Sequence, residues 1–179
     1  MNLTPAEAAH RRLLSRWRKA MDLVGPGPLE PHFIDAIGAV SGLDVQGRWA
    51  DLGSGAGFPG ISLAARHSEA EILLVESRQK RVVFLNQVVA AAGLTNTTVL
   101  RQRTESLDGG LDGVISRAYK PPLRYLADAK RLLRPGGLAV VMLGDGTEVL
   151  LPDGWVMVSR QRYPVPDGWR ERLVVRKDG

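Results

Sequence analysis

The sequence WADLGSGAGFPG, residues 49–60, is the stretch that predicts the fold of this chain. A short apolar run of strand character leads into the acid Asp51, and a glycine-rich turn follows. Glycine tolerates positive φ and lets a ligand approach the backbone, because no Cβ stands in the way. In an open α/β sheet, this first turn lies at the carboxyl ends of the strands, where such folds bind ligands. We therefore expect a ligand site formed by Asp51, Gly53, Ser54, Gly55, Gly57, Phe58 and Gly60.

Short apolar runs separated by helix-length segments follow this turn, and they predict a Rossmann-like α/β domain. The connecting helices, at about 60–67, 79–92 and 123–133, indicate right-handed crossovers between parallel strands. The last two runs lack an intervening helix and predict a closing antiparallel pair. We expect a mostly parallel seven-stranded sheet with strands at 48–52, 71–76, 97–101, 112–116, 137–142, 155–162 and 170–176.

The residues before the sheet predict a helical extension. Residues 4–7, Thr-Pro-Ala-Glu, have the form of a capping box with proline at the first helical position, so a helix should run to about Leu23. The Gly-Pro-Gly-Pro segment at 25–28 then interrupts the chain, and a second helix is expected at about 30–40. We expect residues 1–42 to pack on a core domain formed by residues 43–179.

Composition limits the classes of function. The chain has 179 residues, enough for one domain, and contains neither cysteine nor a group of neighbouring histidines, so we expect no disulfide and no metal site. No apolar stretch approaches the ~20 residues of a membrane span, and the basic N-terminal residues lack the apolar segment of a signal peptide. We expect a cytoplasmic protein, a monomer, with no membrane contact.

The net charge of +5 and the pI near 10 suit a polyanionic partner such as RNA, through neutralisation of phosphates. Solubility alone would explain the same charge. The sequence does not say whether the basic residues lie together on one face, so both interpretations stay open.

Asp51 indicates which ligand the turn binds. Residues 55–60 also match the dinucleotide pattern G-x-G-x-x-G, but that match alone is weak. A carboxylate in the pocket would repel a pyrophosphate and attract the ammonium and sulfonium groups of S-adenosylmethionine. The pattern therefore favours S-adenosylmethionine as cofactor over a nicotinamide dinucleotide.

Acidic residues at the next strand ends extend this site. Glu76, followed by Ser77, ends the second strand, where a carboxylate can accept hydrogen bonds from ribose hydroxyls. Taken alone, such an acid is more often a helix cap or a solvated turn residue. Thr104 and Glu105, after the third strand, are expected to line the adenine side through backbone amides, with Leu107 over the ring.

Three segments make the chain similar to a known family. Residues 51–61, residues 76–85 with Glu-Ser and then Lys-Arg-Val-Val-Phe-Leu, and residues 113–118, Gly-Val-Ile-Ser-Arg-Ala, resemble the glucose-inhibited division protein B family. Residues 17–23, 32–35 and 171–175 extend the resemblance over nearly the whole chain. The family consists of bacterial methyltransferases that modify N7 of one guanosine in 16S small-subunit ribosomal RNA.

The resemblance implies roles for particular residues. The 51–60 turn, Glu76 and the 104–105 turn would hold S-adenosylmethionine, and Arg117 would lie beside the methyl group and the target base. An arginine at this strand end is expected to face the pocket and to donate hydrogen bonds to guanine O6 or to a phosphate. Further phosphate contacts are expected from Lys80, Arg81, Lys120 and Arg124.

Departures from the family pattern leave alternatives open. Arg18 and Asp22 stand where the family usually has asparagine, and residues 143–146, Leu-Gly-Asp-Gly, replace a Lys-Gly pair after the fifth strand. Methylation of another substrate, a non-catalytic RNA-binding or ribosome-assembly role, and, least favoured, an NAD-binding oxidoreductase remain alternatives. The expected partner is ribosomal RNA or a precursor of the small ribosomal subunit.

Overall fold

The computed structural model describes residues 2–179. A single seven-stranded sheet has the order β3-β2-β1-β4-β5-β7-β6. Strands β1 to β5 are parallel to one another, and β7 is antiparallel to both of its neighbours, β5 and β6. The strands are β1 Arg48–Leu52, β2 Glu71–Glu76, β3 Thr97–Arg101, β4 Leu111–Ser116, β5 Leu133–Gly144, β6 Trp155–Val165 and β7 Gly168–Lys177. The helices are α1 Pro5–Met21, α2 Glu30–Val40, α3 Gly60–Arg66, α4 Gln79–Ala92 and α5 Pro122–Leu132, with a 3₁₀ turn at Thr104–Ser106. The expected Rossmann-like fold is confirmed.

Apolar side chains on both faces of the sheet divide the core into two layers. Helices α1 to α4 cover one face around Trp49, Phe33 and Phe84, whereas α5 covers the other around Leu52 and Val114. The central strands β1 and β2 are buried on both faces and consist mainly of apolar residues, and they begin and end where the sequence predicts. The edge strand β3 is only partly buried, and its bounds also agree with the prediction.

The α1 helix begins with the expected capping box. The Thr4 hydroxyl accepts from the Glu7 backbone N–H, and the Glu7 carboxylate accepts from the Thr4 backbone N–H. Glu7 is fully buried and also accepts from the Arg66 guanidinium on α3, at 2.8 Å. These bonds hold the amino end of α1 against α3.

Some element bounds differ from the sequence prediction. α1 ends at Met21, because Asp22 adopts a left-handed conformation with φ 50°. β5 begins at Leu133 rather than 137, since Leu133 already pairs with Leu111 across an irregular step in the register. The β6–β7 hairpin closes through a shorter turn than expected, because Val165 pairs with Gly168.

Candidate active site

A cavity of about 350 Å³ lies at the carboxyl edge of the sheet, where the chain leaves β1, β2, β3 and β4. Parallel strands whose ends meet at one edge bring these turns together although they are far apart in sequence. The cavity confirms that this edge holds a concave site. Among the residues predicted to hold the cofactor, those that line it are Gly53, Glu76, Ser77, Thr104 and Glu105, and two of the predicted phosphate contacts, Arg81 and Lys120, line it as well.

Glu76 joins the first two of these turns. One carboxylate oxygen accepts from the Gly55 backbone N–H at 3.1 Å, and the other accepts from the Arg78 backbone N–H at 2.8 Å. The Arg81 guanidinium lies 3.8 Å from the carboxylate and also lines the cavity. Each carboxylate oxygen keeps a further lone pair, so Glu76 can still accept from a ligand hydroxyl.

The glycine-rich turn is tied to β2 by its own backbone. The N–H groups of Gly53 and Ser54 both donate to the carbonyl of Val75, at 2.9 and 3.0 Å. Gly53 has φ 71°, and a Cβ on it would lie 2.7 Å from the ring of Tyr119. Glycine is required at this position both for the backbone conformation and for the close approach of that ring.

Asp51 lies beneath the turn and not in the cavity. Its side chain is fully buried, Oδ2 accepts from the Gly60 backbone N–H at 3.0 Å, and Oδ1 has no hydrogen-bond partner within residues 2–179. Burial raises the pKa of Asp51 to about 7. The expectation of a carboxylate exposed in the pocket is wrong, because the chain folds back over Asp51 to start α3.

The remaining turn residues are also covered. Ser54, Gly55, Gly57, Phe58 and Gly60 are buried and do not line the cavity. The Ser54 hydroxyl donates to the Asp51 carbonyl at 3.0 Å. These residues therefore set the shape of the turn, and only Gly53 presents its backbone to the cavity.

His10, which the sequence did not single out as a site residue, supports the turn from α1. It is fully buried, and its ring packs on Phe58 with centroids 4.8 Å apart. Burial lowers the pKa of His10 to about 4, so the imidazole is neutral at pH 7. Nε2 lies 2.7 Å from the Ala56 carbonyl and therefore donates to it. No sequence motif predicts this contact, because a helix and a strand separate the two residues in the chain.

Arg117, after β4, contacts the glycine-rich turn and α2. Its guanidinium stands over the Phe58 ring, 4.6 Å from the centroid, and Nη1 lies 3.3 Å from Asp35 Oδ2 on α2. Arg117 is not among the residues that line the cavity, and its expected place beside the methyl group and the target base stays a prediction. The next residue, Ala118, lines that pocket instead and has φ 53°, a conformation rare for a residue with a Cβ.

Tyr119 and Lys120 complete the cavity wall after β4. Lys120 donates to Asp128 at 2.7 Å and to Glu105 at 3.1 Å, and its hydrogen bond to Asp128 raises its pKa. The sequence predicted Lys120 as a phosphate contact, but these carboxylates hold it in the wall. Tyr119, which the sequence did not indicate, donates to Asp128 at 3.2 Å.

The three remaining residues that the sequence predicted as ligand or phosphate contacts lie outside the cavity wall. Leu107 is buried in the α5 layer of the core and does not line the cavity, so its expected place over an adenine ring is wrong. Lys80 borders a shallow depression beside α1 that shares Arg78 and Arg81 with the cavity wall. Arg124 is exposed on α5.

Strand order and site position define a class of protein. A solved S-adenosylmethionine-dependent methyltransferase from Aquifex aeolicus superposes with a TM-score of 0.63 at 15% identity, covering 98% of this chain and all of that chain (100%). At this identity the likeness concerns the fold alone. The fold is that of the class I, Rossmann-like methyltransferases.

Sequence comparison narrows the class to one family. The family model described as rRNA small subunit methyltransferase G matches residues 8–150. Ribosomal RNA small subunit methyltransferase G of Xanthomonas oryzae pv. oryzae is 35% identical over 176 residues, 92% of this chain and 82% of that protein. The protein of the same name from Vibrio cholerae serotype O1 is 33% identical over 174 residues, with the same coverage. The chain belongs to the rRNA small subunit methyltransferase G family, as the resemblance predicted.

Proposed function

We propose that this protein transfers a methyl group from S-adenosylmethionine to N7 of a guanosine in 16S ribosomal RNA. Membership of the family supports the reaction class, and the relatives carry ribosomal RNA in their names. The observation that carries the proposal within this chain is the cavity at the carboxyl edge of the sheet, with Glu76 in its wall.

The residues of the cavity fit the cofactor. Glu76 offers free lone pairs for the ribose hydroxyls, and Thr104 with Glu105 lies on the neighbouring wall where the adenine would rest. Ser77 borders the same wall, and Gly53 presents backbone without a side chain. When ionised, Asp51 would put negative potential under the turn, which suits a cation above it. When bound, S-adenosylmethionine supplies an electrophilic methyl group on a sulfonium.

The chain needs to supply orientation and not proton transfer. Guanine N7 carries a lone pair and loses no proton when it attacks, so a general base is unnecessary. The residues around the turn hold the reactants in line and exclude water. Arg117 keeps donors for guanine O6 or a neighbouring phosphate, because no hydrogen bond to another part of residues 2–179 uses its Nε or Nη2.

The residues that depart from the family pattern have defined places in the fold. Arg18 donates to the Gly27 carbonyl at 2.6 Å, and Asp22 forms the left-handed cap of α1. Asp145 pairs with Arg162 on β6 at 2.7 Å. None of these residues lines the 350 Å³ cavity. Asp22 reaches the wall only through its backbone carbonyl, which accepts from Arg81 at 3.4 Å.

The proposal includes the setting in which the protein acts. The partner is the small ribosomal subunit or its precursor, and the protein is a cytoplasmic monomer that uses no metal. Among the helices of residues 2–179, none combines the length and hydropathy needed to cross a membrane.

Methylation of undermodified small subunits tests the proposal. We expect the purified protein with S-adenosylmethionine to produce N7-methylguanosine in 16S RNA, identified by nuclease digestion and mass spectrometry. Calorimetry should show binding of S-adenosylmethionine and none of NAD. Cofactor binding without methylation of the subunit would support the non-catalytic alternative, methylation elsewhere would indicate a different substrate, and NAD binding would contradict the cofactor assignment.

A further inference from the structure

Three polar side chains form a chain of contacts next to the glycine-rich turn. Tyr163, on β6, donates to Asp35 Oδ1 at 2.9 Å, and Asp35 Oδ2 faces Arg117 Nη1 at 3.3 Å. Nη1 also lies 3.4 Å from the His32 carbonyl. Both Asp35 oxygens are thus used, one by the hydroxyl and one by the guanidinium.

A glycine in the middle of α2 makes the Tyr163 contact possible. Gly38 lies three residues after Asp35, on the same face of the helix. The Tyr163 ring lies so close to Gly38 that a Cβ there would overlap it. Glycine inside a helix is less favourable than alanine. The close approach of the ring gives the physical reason for this glycine, because it brings the hydroxyl to Asp35.

The same contacts leave part of Arg117 available. The Phe58 ring covers one face of the guanidinium, and Asp35 with the His32 carbonyl holds Nη1. About a fifth of the side chain, 21%, stays accessible. A planar guanidinium held at one nitrogen and on one face has a defined direction for its remaining donors.

We propose that Asp35 and Tyr163 are positioning residues for methyl transfer, which aim the Nε and Nη2 donors of Arg117 at the RNA substrate. This inference rests on the proposed function. The two residues do not touch the cavity and act only through Arg117.

The surroundings keep the contacts in their working protonation states. Burial, followed by the negative charge of Asp35, raises the pKa of Tyr163 further above its usual value, so the hydroxyl keeps its proton and donates. Burial, followed by the charge of Arg117, lowers the pKa of His32. His32 therefore adds no second cation beside Arg117 at neutral pH.

Isosteric substitutions separate positioning from folding. Tyr163→Phe removes only the hydroxyl, and Asp35→Asn removes the charge at nearly constant volume. We expect kcat for methylation of small subunits to fall about tenfold in Asp35→Asn and about threefold in Tyr163→Phe. Calorimetric affinity for S-adenosylmethionine and the thermal midpoint should stay close to wild type. The matched control is Asp112→Asn on β4, which breaks an ion pair with Arg134 on β5 away from the cavity and should keep its activity.

A double-mutant cycle and an activity-free measurement complete the test. In an Arg117→Lys background, Asp35→Asn should lower kcat less than about twofold further, because the group it positions is gone. The Nε–H resonance of Arg117, identified by its absence in Arg117→Lys, should exchange faster with water in Asp35→Asn. Equal losses of kcat in both backgrounds, or an unchanged resonance, would overturn the inference. If the wild type methylates no subunit, the proposed function fails, and the resonance still decides whether Asp35 holds Arg117.

Discussion

Asp51 and Glu76 end neighbouring parallel strands at one edge of the sheet, yet their carboxylates lie in different surroundings. Asp51 is fully buried under the glycine-rich turn, with one oxygen unpartnered. Glu76 lines the cavity and holds two backbone N–H groups. The turn after β1 folds back over its own strand to begin α3, whereas the chain after β2 turns away into α4. An acid at a strand end can therefore shape a site or face a ligand, according to where the following turn lies.

The largest effect is expected at Glu76. Glu76→Ala removes the acceptor of both backbone N–H groups and of the ribose, and each hydrogen bond to a charged group contributes about 1.5–3 kcal/mol. We expect the Kd for S-adenosylmethionine, measured by calorimetry, to rise about 100-fold or more. Glu71→Gln, at the amino end of the same strand, is the control. A similar Kd for both variants would show that Glu76 does not belong to the cofactor site.

A smaller effect is expected where Asp51 supports the turn. A Cβ at Gly60 would lie 2.5 Å from Asp51 Oδ2 and would also overlap Leu74. We expect Gly60→Ala to lower the free energy of unfolding by about 2 kcal/mol, as overpacking of a core does. Gly25→Ala, which adds its Cβ in open space, should leave the free energy of unfolding nearly unchanged in the same denaturation experiment. Equal stability of the two variants would mean that the turn can move away from Asp51.

The smallest effect concerns the ionisation of Asp51. Its pKa of about 7 in the folded protein lies above its ordinary value of 3.8, so the contribution of Asp51 to stability is fully present below about pH 4 and is lost as pH rises through 7. A cationic ligand favours the carboxylate, so affinity for S-adenosylmethionine should rise up to about tenfold between pH 6 and pH 8. Asp51→Asn keeps an acceptor for the Gly60 N–H but cannot ionise.

Calorimetry at both pH values on wild type and Asp51→Asn isolates this contribution, because titration of the ligand is common to both proteins. The rise in affinity should be confined to the wild type. If the two proteins show the same pH dependence, the buried charge of Asp51 plays no part in binding, and its role is confined to holding Gly60.

The fold could be predicted from the sequence largely because its central strands are buried on both faces. The central strands β1 and β2 are short, mainly apolar runs, and their bounds, like those of the half-buried edge strand β3, were predicted to the residue. The start of β5 was not predicted, because Leu133 becomes a strand residue only through pairing with Leu111. That pairing joins segments separated by α5.

The site was predicted in part. Gly53, Glu76, Thr104 and Glu105 were expected because turns at the carboxyl ends of parallel strands meet at one edge. The burial of the Asp51 side chain was not predicted, since strand position does not say which side of a turn a side chain takes.

The sequence by itself determined the order of elements, the glycine-rich turn and the family, because these depend on local pattern and on residues close in the chain. Only the tertiary structure decided that Asp51 is covered, that His10 holds the turn and that Asp35 and Tyr163 hold Arg117. Each of these contacts joins residues from different elements, Tyr163 and Asp35 being 128 positions apart. Burial and hydrogen bonding between distant segments exist only after the sheet and its helices have packed.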